Sequence, residues 1–330
     1  METINQKSLL PELSCWVLTE GMAGTENQCL GLAEALGVTP VVKRIKLKFP
    51  WKQLSPWLCF GQALALAEGS DAITPPWPDI LIASGRKSIG TALHIKKMSG
   101  GKTFLVQVQD PRIALKNFDL VAVPQHDPAR GENVVVTKCA LHRVTPERIA
   151  EGKNNFTELG RMASPRVAVL IGGSSKAHSM TRENAAKLAG DLLALKDARL
   201  MITASRRTGE DNVRMLRQAL KGPDIFFWDG QGQNPYFAFL GYADYIIVTE
   251  DSVSMTSEAL STGKPVYTVP LEGGGGRLSL FHKMLREQGY TRQFEGKLSP
   301  WSYAPPDDIM HVATEIKKRL KEHHVQDASR

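Results

Sequence analysis

The chain has 330 residues, 42% hydrophobic and 23% charged, the make-up of a soluble globular protein long enough for two domains. No apolar run approaches the roughly 20 residues that cross a bilayer, and residues 1–13 lack the basic start and apolar core of a secretory signal. A net charge of +7 favours anionic partners, yet no zinc-finger spacing, RRM-like aromatic signature or long Lys/Arg run points to nucleic acid.

The first expected element is a strand over 15–19, followed by the turn Gly21-Met22-Ala23-Gly24-Thr25 and a helix over 27–36. Glu26 stands at the start of that helix and is a candidate general base. A strand over 41–47 comes next. From Lys43 to Leu58, cations are mixed with Phe49, Trp51 and Trp57. Such a surface suits an anionic membrane, with lysines on acidic head groups and indoles at their level. The same residues equally suit a core strand and a buried helix with tryptophans as packing. Further strands are expected over 79–83, 103–108 and 120–123, with a helix over 88–98. Gln107-Val108-Gln109-Asp110-Pro111-Arg112 and Pro124-Gln125-His126-Asp127 follow the last two strands. His126 beside Asp127 is a second candidate base, although residues of these types also cap helices and fix turns. The four cysteines, Cys15, Cys29, Cys59 and Cys139, lack C-x-x-C spacing. They read as small buried hydrophobes in a reducing, cytoplasmic compartment.

The alternation lapses over 145–165, a polar stretch expected to be an interdomain connector. It restarts with a strand over 167–171 and the turn Gly172-Gly173-Ser174-Ser175-Lys176. Two glycines let backbone approach a phosphate, and the N–H groups that follow can cradle it, although the spacing is not that of a Walker A loop. A helix follows with Thr181 as its cap. The next strand, 200–203, runs into Ser205-Arg206-Arg207, whose adjacent guanidiniums suit a pyrophosphate or, failing that, form a solvated basic turn. A helix over 211–220 and a strand over 225–228 lead to the most informative stretch, a strand from Tyr245 followed by Glu250, Asp251, Ser252, Ser254 and Met255. Here small hydroxyls and carboxylates stand where a strand gives way to a helix, whose open N–H groups and dipole favour a bound phosphate. Ser257 and Glu258 lie about one turn further on, where a carboxylate can accept from ribose hydroxyls. The same residues also spell an N-cap box. A strand over 266–269, a glycine run over 273–276 expected to be a mobile loop, and an amphipathic helix over 307–321 complete the chain.

Strand–helix alternation in both halves predicts an α/β protein of two Rossmann-like, doubly wound domains facing a cleft. The expected boundaries are 1–150, a linker at 151–165, and 166–330, with the last helix packing back on the first domain. Neither half carries G-x-G-x-x-G after its first strand, which disfavours nicotinamide and flavin. There is no G-x-S-x-G or H-E-x-x-H, and no metal site is expected.

Gln107-Val108-Gln109-Asp110-Pro111, Pro124-Gln125-His126-Asp127, Ser205-Arg206-Arg207-Thr208, Asn234-Pro235-Tyr236 and the stretch from Thr249 to Glu258 occur in one order. Together they resemble the family of the plant mitochondrial fission factor "elongated mitochondria" and its bacterial relatives, from about Cys15 to Glu295. The resemblance implies a GT-B-like fold. The second domain is also similar to that of GT-B transferases such as the lipid-linked N-acetylglucosamine transferase of peptidoglycan synthesis. That likeness implies a donor site in which Glu258 holds the ribose, residues from Ser252 to Met255 the phosphates, and Ser174 lies near the diphosphate. Glu26 stands where that transferase ends its glycine loop in histidine. The plant member is understood as a recruiter of a dynamin-related protein, a role that needs no chemistry.

The expected function is a GT-B-like glycosyltransferase at the cytoplasmic membrane face. Its donor would be a nucleoside-diphosphate sugar, UDP-linked in the first instance, and its acceptor a lipid-linked or envelope glycan. The positively charged turns would neutralise the leaving diphosphate, so no separate cofactor is required. The alternatives are a nucleotide-sugar epimerase on the same fold and a non-catalytic scaffold.

Overall fold

The computed structural model describes residues 13–175 and 177–328. The chain divides into two compact units: one runs to Arg143 and resumes at Asp307, and the other is Val144–Pro306. Among the described residues, each unit holds a six-stranded sheet, and the pairs within both sheets are parallel.

In the first unit the strands are β1 (Cys15–Thr19), β2 (Pro40–Arg44), β3 (Ile80–Ser84), β4 (Phe104–Val108), β5 (Leu120–Pro124) and β6 (Val134–Thr137), in the order β2-β1-β3-β4-β5-β6. Both faces are covered. Cys15 and Val17 face the core that holds Leu32 of α1 (Ala23–Leu36), while Trp16 and Leu18 face the core that holds Ile89 and Ile95 of α3 (Ser88–Met98). Burial on both sides explains why β1, β3, β4 and β5 read as nearly continuous apolar runs, whereas the edge strand β2 carries Lys43 and Arg44. Cys15, Cys29 and Cys139 are packed in the interior and form no disulfide among the described residues. Burial pushes the Cys15 thiol up to about 12, so it behaves as a small hydrophobe.

The second expected strand stops at Arg44. Beyond it, a short helix α2 (Trp51–Leu54) and a 3-10 turn at Gln62–Leu64 replace both the long strand and the buried helix of the packing reading.

The polar stretch after Arg143 belongs to the second unit and is not an open connector. Thr145 caps α4 (Pro146–Asn155), its side chain accepting the Arg148 N–H, with Pro146 in the first turn. Gly152 lets α4 lie against α7 (Tyr236–Tyr242), since a Cβ there would come within 2.7 Å of the Ala238 nitrogen.

The second sheet comprises β7 (Arg166–Ile171), β9 (Arg199–Ala204), β10 (Ile225–Phe227), β11 (Tyr245–Thr249), β12 (Val266–Val269) and β14 (Thr291–Gln293), in the order β10-β9-β7-β11-β12-β14. Two further strands, β8 (His178–Ser179) and β13 (Glu272–Gly273), pair antiparallel. The remaining helices of this unit are α5 (Arg182–Leu193), α6 (Glu210–Ala219), α8 (Val253–Leu260) and α9 (Gly276–Glu287). Thr181 caps α5 as expected, in a reciprocal box with Asn184. The glycine run at 273–276 forms part of β13 and then opens α9. All four residues have positive φ, between 59° and 124°, a region that glycine enters without strain.

The last helix, α10 (Asp308–Ala328), belongs to the first unit. Val312, Ala313, Ile316 and Leu320 enter the same core as Cys15 and Leu32, and the Asp308 carboxylate accepts the backbone N–H groups of Lys138 (2.9 Å) and Cys139 (2.8 Å). No helix among the described residues is long and apolar enough to cross a membrane.

Candidate functional site

In the second unit, β9, β7 and β11 are neighbours, and the strand order reverses at β7, running to β9 and β10 on one side and then to β11, β12 and β14 on the other. The carboxyl edge at such a reversal is where doubly wound sheets bind ligands. Register pairs Ile171 with Ala204, and Leu170 with Val248. Gly172, Ser205 and Glu250 therefore sit at one level, and three of the predicted turns converge.

They converge on Asp251. Its carboxylate is fully buried and accepts the Gly173 N–H (3.0 Å), the Thr249 hydroxyl (2.6 Å) and the Arg207 guanidinium (2.7 Å). The Thr249 oxygen accepts the Gly172 N–H at 2.7 Å, and the Thr208 hydroxyl donates to the Gly172 carbonyl. The Ser174 N–H goes to the Arg207 carbonyl (2.9 Å), and that of Ser175 to the His178 carbonyl (2.8 Å).

This corrects the expected phosphate cradle. The N–H groups of Gly172, Gly173, Ser174 and Ser175 are already engaged within the protein. The glycines are required for a different close approach: a Cβ on Gly172 would lie 2.2 Å from the Asp251 carboxylate, and one on Gly173 2.1 Å from the Arg207 backbone. Asp251 thus takes the Gly173 N–H and the Arg207 guanidinium that the phosphate reading assigned to a ligand. Lys176 lies outside the described residues.

Other predicted residues separate by role. The Ser174 hydroxyl accepts the Met180 N–H (3.0 Å), and the Ser175 hydroxyl accepts that of His178 (3.1 Å). The Ser205 hydroxyl accepts the Arg207 N–H (3.2 Å), and Arg206 points its charge into solvent. Glu250 turns toward α9, pairing with Arg286 (2.6 Å) and accepting the Thr268 hydroxyl (2.8 Å), which removes it from the group around Asp251. Ser252 caps α8 by accepting the Met255 N–H, while Ser254 and Met255 are half-buried in the first turn. The Ser257 hydroxyl donates back to the Val253 carbonyl (2.8 Å), as helix serines commonly do.

Glu258 lies half-buried one turn on, and Oε2 accepts the Tyr236 hydroxyl at 2.5 Å. Burial raises the Glu258 carboxyl to about 7, against the pull of that hydrogen bond, and burial beside a carboxylate drives the Tyr236 phenol well above its ordinary value. Asn234 shapes the entry to α7 by accepting the Tyr236 N–H at 3.0 Å. The sequence alone does not mark Tyr236 as a site residue, although the triplet Asn234-Pro235-Tyr236 carries its signal. Nor does it mark Thr208 and Thr249, the threonines that complete the Asp251 network.

In the first unit the three candidate bases do not converge. Glu26 follows β1, and both of its carboxylate oxygens are held by Arg44, at 2.7 and 3.0 Å. His126 and the buried Asp127 follow β5, in a turn tied by Arg130 to the carbonyls of Asp127 (2.6 Å) and Gln125 (2.9 Å). β3 and β4 lie between these strands, which separates the two places by about 14 Å along the sheet. The Gln-Val-Gln-Asp-Pro-Arg motif after β4 puts Gln109 and Arg112 at φ of 74° and 58°, uncommon for residues with a Cβ. Among the described residues, no group of three His, Cys, Asp or Glu side chains could hold a metal.

The profile of the family described as "Mitochondrial fission ELM1" matches residues 23–320. The chain belongs to the mitochondrial fission ELM1 family. This member is similar to the mitochondrial fission protein ELM1 of Arabidopsis thaliana, with 28% identity over 385 aligned positions that span 92% of this chain and 90% of the plant protein. In structure it is similar to a putative UDP-N-acetylglucosamine 2-epimerase from Listeria monocytogenes (TM-score 0.52, 12% identity, 96% and 98% of the two chains). It is likewise similar to UDP-GlcNAc 2-epimerase from Methanocaldococcus jannaschii (0.52, 11%, 92% and 92%). At these identities the likeness is one of fold. This ELM1-family chain is an α/β protein of two Rossmann-like halves, GT-B-like in type.

Proposed function

We propose that this chain binds a nucleoside-diphosphate sugar through its second half and transfers the glycosyl group to a lipid-linked or envelope glycan at the cytoplasmic face of a membrane. The observation that carries the reading is Glu258, a half-buried carboxyl one turn inside α8 and already accepting a hydroxyl from Tyr236. A carboxyl set up in this way suits a ribose hydroxyl. The N-terminus of α8 and the exposed Arg206 supply positive potential for the diphosphate. In the transfer, the acceptor oxygen bonds to the anomeric carbon as the carbon–oxygen bond to the diphosphate breaks. The electron pair leaves with the diphosphate, and the acceptor proton passes to a base. Glu26, His126 and Asp127 are the candidates for that base, and Glu26 must compete with Arg44 for its own oxygens.

One observation favours a second reading, a non-catalytic interaction protein. The Asp251 carboxylate takes the Gly173 N–H and the Arg207 guanidinium for itself.

Calorimetry against UDP-, GDP-, ADP- and CMP-linked sugars separates the two. The enzyme reading expects one donor to bind, and Glu258→Ala and Arg206→Ala each to weaken it by roughly tenfold. Absence of binding at millimolar donor ends that reading, and binding that emerges only in Asp251→Asn supports the scaffold. Turnover of the donor without acceptor would instead mark an epimerase.

A further inference from the structure

Five large apolar side chains stand exposed within one short stretch of the first unit: Phe49 (76%), Leu54 (49%), Trp57 (67%), Phe60 (76%) and Leu64 (67%). Exposed apolar residues scattered singly need no explanation, but a cluster of this kind does. The stretch is also a built object. Its two ends are joined by the Leu47–Leu66 bridge, by the Lys48 N–H on the Ala65 carbonyl (3.0 Å) and by the Ala67 N–H on the Lys46 carbonyl (2.8 Å).

Inside the closed loop, the Trp51 indole donates to the Phe60 carbonyl (2.8 Å), the Ser55 hydroxyl to the Arg86 carbonyl (2.9 Å) and the Gln62 amide to the Leu58 carbonyl (2.9 Å). Gln62 is buried against α3 at Gly90, where a Cβ would lie 2.6 Å from its amide nitrogen. Trp51, Ser55 and Gln62 thus hold the backbone while the rings of Phe49, Trp57 and Phe60 are turned outward, the reverse of ordinary packing for those three.

Charge decides what such a surface fits. Lys46, Lys48 and Lys52 are exposed on the same loop, and residues 46–67 contain no Asp or Glu. Rings that can enter the head-group layer, flanked by exposed lysines on a loop without acids, match an anionic lipid surface on both counts. We propose that the closed loop 46–67 is a membrane-docking element that inserts Phe49, Trp57 and Phe60 at the interface of an anionic bilayer.

The test is sedimentation of the full chain with vesicles of phosphatidylcholine alone and of phosphatidylcholine mixed with phosphatidylglycerol. The chain should partition to the anionic vesicles, and less so as salt is raised. Trp57→Ala combined with Phe60→Ala should weaken partitioning by about tenfold per ring. Lys48→Gln combined with Lys52→Gln should weaken it by about fivefold per lysine. These exposed side chains are not among those that hold the loop, and an unchanged melting temperature would confirm folding. If the aromatic variant fails to fold, the lysine variant carries the test. Equal binding to neutral vesicles, or binding unaffected by either variant that folds, overturns the proposal. So does an absence of vesicle binding together with self-association abolished by the aromatic variant, which would make the loop a contact between copies of this chain.

Discussion

The two halves repeat one architecture and use its carboxyl edge differently. In the first, the connections reverse between β1 and β3, and the charges there close into separate pairs, Glu26 with Arg44 and Glu20 with Lys87. In the second, they reverse between β7 and β11, and the turns after β7 and β9 lock onto the buried Asp251 of the turn after β11. The difference teaches that strand order alone does not make a site. A reversal offers a crevice, but the side chains decide whether its polar groups remain distributed or are spent on one internal carboxylate.

The sharpest way to break the comparison is Gly173→Ala. The added Cβ would meet Arg207 backbone at 2.1 Å, so the turns after β7 and β9 must part. We expect a loss of about 3 kcal/mol or more, seen as a melting temperature lower by roughly 5–10 °C. A stability change within about 0.5 kcal/mol of zero would show that these turns are not locked together.

Glu258 gives the next largest effect. Its carboxyl titrates near 4.5 in the unfolded chain and near 7 in the folded one, so the folded state holds the proton more tightly. The stabilisation is fully present below about pH 4.5 and is lost as pH rises through 7. Relative to Glu258→Gln, wild-type stability should fall by about 1–3 kcal/mol across that window in urea titrations. Parallel curves would mean that burial does not hold the proton on this carboxyl.

The smallest effect belongs to the first half. Arg44 is 60% exposed and Glu26 13%, so Glu26→Gln should cost less than about 1 kcal/mol in the same titration. A cost equal to that of Gly173→Ala would erase the contrast between the halves. If Glu26 serves as the base, turnover falls while stability holds, which separates chemistry from structure.

Much of this was legible because it is local. Apolar runs between glycine turns marked the strands, Thr181 and the N-cap box holding Ser252 and Ser254 announced their helices, and the amphipathic pattern over 307–321 announced α10, which buries Val312, Ile316 and Leu320. The polar composition of residues 145–165 concealed α4, because a helix with a single apolar stripe can be mostly polar and still pack. The glycine run concealed the start of α9, since positive φ looks like a loop until the following helix is formed.

By itself the sequence determined the alternation of strands and helices, the cationic turn at Arg206 and Arg207, and the acidic, hydroxyl-rich stretch around Glu258, because periodicity and composition act between neighbours along the chain. Only the tertiary structure decided that Asp251 would claim Gly173 and Arg207, that Tyr236 would hold Glu258, and that Phe49, Trp57 and Phe60 of loop 46–67 would face outward. Those outcomes join residues far apart in the chain. They depend on which strands lie side by side and on which polar groups find partners once water is excluded.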